Sequence, residues 1–282
     1  MILFFEIFRM ERCIECGLKY KDNDVQSDRL IVLIGGLGDT HKGFYTDVLM
    51  KFGVYYGIRV FSLGLRSMPD YNYYTIHDDV EDVQKFYKAL GMDKYAGVWY
   101  IGHSTGCQVL MLFASKKVYR ESEVIILQAP VSDREYEEST NPNLLRTLEI
   151  ARKLNEIMQF ENQKEELDER KHQMVLYMRH NGLPFRADRI LSLFEKSGDE
   201  DFFSIGQSTD SANRSKTKAY AVVSKSDEYM VSPINEVIEQ LKRIKNMQGV
   251  YTIEADHSLV YGMDKFLKIL ECIINQRDIA TE

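Results

Sequence analysis

The pentapeptide Gly102-His103-Ser104-Thr105-Gly106 separates two apolar runs, GVWYI (97–101) and CQVLMLF (107–113). A serine with glycines two positions to either side, closing a strand and opening a helix, has the setting of a nucleophile elbow. The glycines have a steric reason. A residue on so sharp a turn takes a strained backbone conformation, and a side chain two residues away would collide with the neighbouring strand or helix. The helix start beneath Ser104 adds backbone N–H groups and the positive end of the helix dipole where an oxyanion would form. The plainer account of the same residues is a structural serine in a tight turn.

A serine nucleophile needs a base, a group that orients the base, and donors for the oxyanion. On such elbows the partners follow in the order serine, acid, histidine. Of the six histidines, His41 and His77 start predicted helices, and His172 and His180 fall in a charged insertion. His103 lies inside the elbow, where its side chain is expected to point away from that of Ser104. His257, in IEADHSLV after the last predicted strand, is the remaining choice for the base. Asp227, in SKSDEYMVSP, follows a predicted strand and leaves room for one helix and one strand before His257. Glu228 beside it and Asp133 after the preceding strand are the alternatives for the acid, and a turn role ahead of the Pro233 helix is the non-catalytic reading of Asp227. The oxyanion donors are expected to be the N–H of Thr105 and that of Leu37, in the glycine loop Gly35-Gly36-Leu37-Gly38.

Other chemistries find little footing. The Gly-Gly-Leu-Gly loop is neither the dinucleotide pattern nor a lysine-bearing phosphate loop. No His/Asp/Glu cluster has metal-ligand spacing, and the reaction sketched above asks for no metal and no cofactor. Cys13 and Cys16 form a Cys-x-x-Cys without a second ligand pair, and on one strand their side chains would point to opposite faces. With Cys107 and Cys272 they make no disulfide framework in a chain of this length.

The elements that must position these groups alternate along the chain. Strands are expected at RLIVLI, IRVFSL, GVWYIG, EVIILQAP, KAYAVVS and GVYTIEA, with helices at about 42–56, in HDDVEDVQKFYKAL, from Ser104 to about Lys117, after Pro233 and in LVYGMDKFLKILECII. This βα rhythm predicts a mainly parallel sheet with helices on both faces. It stops between Pro130 and Thr217, where NLLRTLEIARKLNEIMQF, KEELDERKHQMVLYMRH and FRADRILSLFEK have helical spacing. That stretch, 130–217, is expected to form a helical cap within a single domain spanning 1–282.

The chain has 282 residues, 44% hydrophobic and 28% charged, with a net charge of −7. No Lys/Arg block marks a nucleic-acid partner. The opening MILFFEIFRM is broken at Glu6 and lacks a basic start and a small-residue cleavage site, so it is read as a strand rather than a signal. No apolar stretch is long enough to span a bilayer, and a soluble, cytoplasmic protein is expected.

Several segments taken together, LIGGLGD, GHSTGCQ, LQAPVSDRE, GDEDFFS and SDEYMVSP, resemble the uncharacterised α/β-hydrolase family that includes the fungal siderophore esterases acting on fusarinine-type cyclic esters. The likeness runs from about Leu30 to His257. It implies an α/β-hydrolase fold, with a Ser-Asp-His triad falling on Ser104, Asp227 and His257 and a small-molecule carboxylic ester as substrate. Within the resembling segments, Gly36, Asp133, Arg134 and Glu135 are expected at the pocket or at the hinge where the cap leaves the sheet. A thioesterase or acyltransferase would use the same residues. A catalytically silent hydrolase fold that binds a ligand through its cap is the reading from a different class.

Overall fold

RLIVLI and GVWYIG are apolar at consecutive positions, as strands covered on both faces must be. The computed structural model describes residues 9–12, 17–116, 120–165, 174–196 and 198–277. Residues 1–8 and the Cys13/Cys16 pair lie outside the described residues. The first described elements are β1 (Arg9–Arg12), β2 (Lys19–Asp22), β3 (Arg29–Ile34), α1 (Phe44–Tyr56), β4 (Arg59–Gly64) and α2 (Ile76–Leu90). A short 3-10 turn (Met92–Lys94) leads to β5 (Gly97–His103), α3 (Thr105–Lys116) and β6 (Glu123–Gln128). After the long insertion come β9 (Lys218–Ser224), α8 (Ile234–Lys242), β10 (Met247–Ile253) and α9 (Met263–Asn275).

The main sheet has the order β1-β2-β4-β3-β5-β6-β9-β10. From β4 to β10 all neighbours are parallel, while β2 runs antiparallel to β4 and to β1. Arg9–Arg12 and Lys19–Asp22 are therefore two paired strands, with Gly17 at positive φ ahead of β2. One face is covered by α2, α3 and α8 through Val80, Phe86, Leu110, Phe113 and Leu241; the other by α1 and α9 through Leu49, Met50, Phe266 and Leu270. Each such side chain contributes about 1.5–3 kcal/mol on leaving water.

The insertion between β6 and β9 contains α4 (Asp133–Thr140), α5 (Leu144–Glu165), β7 (Tyr177–His180), β8 (Leu183–Arg186), α6 (Ala187–Phe194) and α7 (Asp210–Asn213). It has an apolar cluster of its own, in which Leu144, Leu148, Phe185, Ile190 and Phe194 pack with Tyr71 from the β4–α2 loop. The helical reading of KEELDERKHQMVLYMRH is corrected here. Its end is strand β7, because Asn181 and Gly182 both take positive φ and turn the chain into an antiparallel hairpin with β8. Helix α9 starts at Met263 rather than near Leu259, since Leu259 and Gly262 at positive φ hold residues 256–262 as a loop.

Candidate active site

The carboxyl ends of β3, β5, β6, β9 and β10 converge, which is where a parallel sheet leaves a crevice. Ser104 stands between β5 and α3 with φ 52°, in the left-handed region that a non-glycine residue enters only under constraint. The constraint is close packing of the turn. A Cβ on Gly106 would lie 2.2 Å from the Ile34 carbonyl oxygen, and one on Gly102 would lie 2.7 Å from the Gly106 carbonyl. A Cβ on Gly36 would lie 2.6 Å from that of Ser104, so Gly36 packs on the serine itself.

Asp227, on the loop after β9, and His257, on the loop after β10, meet across adjacent strand ends. Both carboxylate oxygens of Asp227 lie 2.9 Å from His257 Nδ1, and the Tyr229 N–H donates to Oδ1 at 3.0 Å. Both residues are buried. The two alternative acids are placed otherwise. Glu228 accepts the backbone N–H of His257 at 3.1 Å, and Asp133, the first residue of α4, accepts from Gln108 Nε2 at 2.7 Å. Burial pushes the Asp133 carboxyl up to about 6, against the opposing charges of His257 and Arg189.

Gln128, the last residue of β6, connects the parts and was not foreseen. Its backbone carbonyl accepts the N–H of Ser104 at 3.1 Å, and its Nε2 donates to the His257 carbonyl at 3.2 Å. Its Oε1 therefore faces His103 Nδ1, 2.6 Å away, and requires the proton on that nitrogen. His103 stands beside the site. Its ring lies 4.9 Å from that of His257, and it stacks on Tyr45. Burial lowers the His103 pKa, and Asp39, 3.7 Å from Nε2, pulls it back. The sequence signal for Gln128 was a polar residue directly after the apolar run Val124–Leu127.

Asp39 also accepts the Gly36 N–H at 2.8 Å, which fixes the glycine loop. Among the described residues, the N–H groups of Leu37 and Thr105 have no acceptor. Arg134 faces inward to the insertion, with Nε 2.9 Å from Asp201 and Nη1 2.7 Å from Glu138, so of pocket and hinge it takes the hinge. Glu135 joins the same seam, accepting the Ile205 N–H and the Ser232 hydroxyl.

A second buried charge cluster ties the insertion to the sheet side. Arg189 of α6 pairs with Asp79 of α2 and with Glu200, each at 2.8 Å, and its guanidinium lies 4.1 Å over the Tyr71 ring. Burial opposes the charge on Arg189, but the two carboxylates outweigh it and hold its pKa above the ordinary value. Burial raises Glu200 to about 7 and raises Asp79, with Arg189 opposing both shifts. No helix among the described residues is long and apolar enough to cross a membrane.

Solved structures share this architecture. A siderophore hydrolase, EstB, from Aspergillus fumigatus superposes with a TM-score of 0.73 at 16% identity, over 98% of this chain and 99% of that one. Est1E from Butyrivibrio proteoclasticus gives 0.59 at 14% identity over 95% and 98%, and a monoacylglycerol lipase from Paleococcus ferrophilus 0.56 at 14% over 92% and 98%. Among curated protein sequences, none matches. Residues 11–265 match the family described as protein of unknown function DUF1749. The chain belongs to that family, and its fold is that of the α/β-hydrolases.

Proposed function

We propose that this protein is a serine hydrolase that cleaves a carboxylic ester through an acyl-enzyme. Ser104 attacks the carbonyl, His257 takes the hydroxyl proton and returns it to the leaving alcohol, and Asp227 holds the imidazolium that forms. The N–H groups of Leu37 and Thr105 receive the oxyanion, where loss of one donor commonly costs about 3 kcal/mol of transition-state stabilisation. Water then attacks the acyl-enzyme by the same proton path in reverse. The insertion 130–217 acts as a cap that selects what reaches Ser104.

The observation that carries this reading is the pairing of an elbow serine at φ 52° with a buried Asp227–His257 contact of 2.9 Å on neighbouring strand ends. The nearby folds named as a siderophore hydrolase and a monoacylglycerol lipase support ester chemistry, and the segment likeness points toward a siderophore-type ester. A fluorophosphonate probe tests the reaction: wild type is labelled and Ser104→Ala is not. Absence of labelling in folded wild type overturns the proposal. A panel of p-nitrophenyl esters of rising chain length beside a fusarinine-type ester then reports the substrate class, and hydrolysis of the simple esters alone would remove the siderophore reading.

A further inference from the structure

The loop between β4 and α2 stands between the insertion and the expected oxyanion donors. The Gly38 N–H donates to the Pro69 carbonyl of this loop at 2.6 Å, so the glycine loop that carries Leu37 leans on it. Asp39 holds the same glycine loop from within, through the Gly36 N–H. At its start the β4–α2 loop is tied to α2, where Arg66 Nε donates to Asp82 at 2.8 Å. Its later part, Tyr71 to Tyr74, is held from the insertion. Tyr71 meets the Phe185 ring edge-on at 5.2 Å, and Asn72 forms an isolated bridge with that same residue of β8.

One side chain of the insertion gathers these parts. Arg189 of α6, 1% exposed, donates from Nη1 to the Tyr74 carbonyl at 3.4 Å and to Asp79 of α2 at 2.8 Å. Its Nη2 donates to Glu200 at 2.8 Å, and its guanidinium lies 4.1 Å over the Tyr71 ring. A planar guanidinium serves several acceptors and an aromatic face at once, which the compact ammonium of a lysine does not. Arg189 and Tyr71 also line one small cavity together with Gly36, Leu37 and Thr105. That cavity has a volume of about 10 Å³, the room of a single water, so a shift of its Arg189–Tyr71 wall is passed on to the donor side.

We propose that Arg189 is a positioning residue for the oxyanion site: it holds the β4–α2 loop, and through Pro69 the glycine loop bearing Leu37, so that this donor is in place while the insertion is docked. The proposal rests on the Ser104–His257–Asp227 reading and makes that site depend on the insertion. Arg189 touches no reacting atom and acts through Tyr71, Tyr74 and Gly38. Unseating it releases the Leu37 N–H from its fixed place. An acyl-transfer step that loses a fixed donor slows, while ground-state binding, made before the oxyanion forms, does not. Seating of the insertion is thus coupled to turnover as well as to access.

The test uses the full chain and two variants. Arg189→Lys keeps the charge and loses the fork; Tyr71→Leu keeps a buried apolar side chain and loses the ring. Both are assayed below their melting temperatures with p-nitrophenyl butanoate and with a trifluoromethyl ketone analogue, whose serine adduct carries the oxyanion. In each, kcat is expected to fall by about tenfold or more and the inhibitor Ki to rise by a similar factor, with KM held within about twofold. Exchange of the Gly38 amide, read by NMR, should quicken by about tenfold or more. Met158→Ala removes a buried side chain of α5 outside the Tyr71 cluster, and should lower the melting temperature without moving kcat, Ki or Gly38 exchange. Unchanged kcat and Ki in either variant that folds overturn the proposal. A change confined to KM, or equal changes in Met158→Ala, also overturns it, since Arg189 would then be structural alone. Loss of fluorophosphonate labelling in wild type is instead the failure of the underlying reaction, so the two outcomes separate.

Discussion

The side-chain amide of Gln128 donates to the carbonyl of His257 at 3.2 Å, while the backbone carbonyl of the same residue accepts the N–H of Ser104 at 3.1 Å. One buried residue at the end of β6 therefore fixes both the elbow and the histidine loop. Replacing it by methionine keeps its length but leaves the His257 carbonyl and His103 Nδ1 unpaired. Gln128→Met is expected to lower kcat by about 10–100-fold with little change in KM, since misplacement of a base acts on the chemical step. Stability should fall by about 1–3 kcal/mol in denaturant unfolding.

Asp227 contacts His257 Nδ1 through both oxygens. Asp227→Asn should lower kcat by about 10⁴-fold, because an amide favours the wrong imidazole tautomer. The melting temperature should move little. An undiminished rate in Asp227→Asn would remove this carboxylate from the reaction.

Two glycine substitutions should separate activity from folding. Gly36→Ala sets a methyl 2.6 Å from the Ser104 Cβ, so it should displace the nucleophile and cut fluorophosphonate labelling by tenfold or more in protein that remains folded. Gly106→Ala sets its methyl 2.2 Å from a backbone oxygen of β3, which has no rotamer with which to yield. That variant should lose about 1–3 kcal/mol or more of stability, seen in a thermal melt.

The buried Arg189 cluster makes stability depend on pH. Glu200 titrates at about 7 in the folded protein against an ordinary 4.5, so between these values the folded state binds more protons than the unfolded one. The contribution is complete below 4.5 and is lost as pH rises through 7. Its size is of the order of 3 kcal/mol. Thermal melts at pH 5 and pH 8 should show a smaller loss in Glu200→Gln than in wild type. Arg189→Met, which leaves Asp79 and Glu200 buried without their cation, should destabilise by about 3–5 kcal/mol near neutral pH.

Part of the candidate site's geometry was legible in the sequence. The elbow could be read because its constraints are local: Gly102 and Gly106 are required by contacts within one strand–turn–helix unit and its β3 neighbour. Strand order of the acid and histidine followed from chain order. The choice among Asp227, Glu228 and Asp133 did not, because it depends on which carboxylate the end of β9 turns toward a loop 30 residues away. The β7–β8 hairpin was not legible, because the Asn181-Gly182 turn that makes it lies between charged segments of helical spacing.

By itself, the sequence determined a parallel α/β sheet, a nucleophile-type turn at Ser104 and the late position of His257, all set by short-range sterics and hydrophobic period. Only the tertiary structure decided that Gln128 and His103 adjoin His257, that Arg134 ties the insertion internally, and that Asp133 accepts from Gln108. Those relationships join strand ends far apart in the chain, and no local pattern encodes the direction in which a side chain leaves a loop.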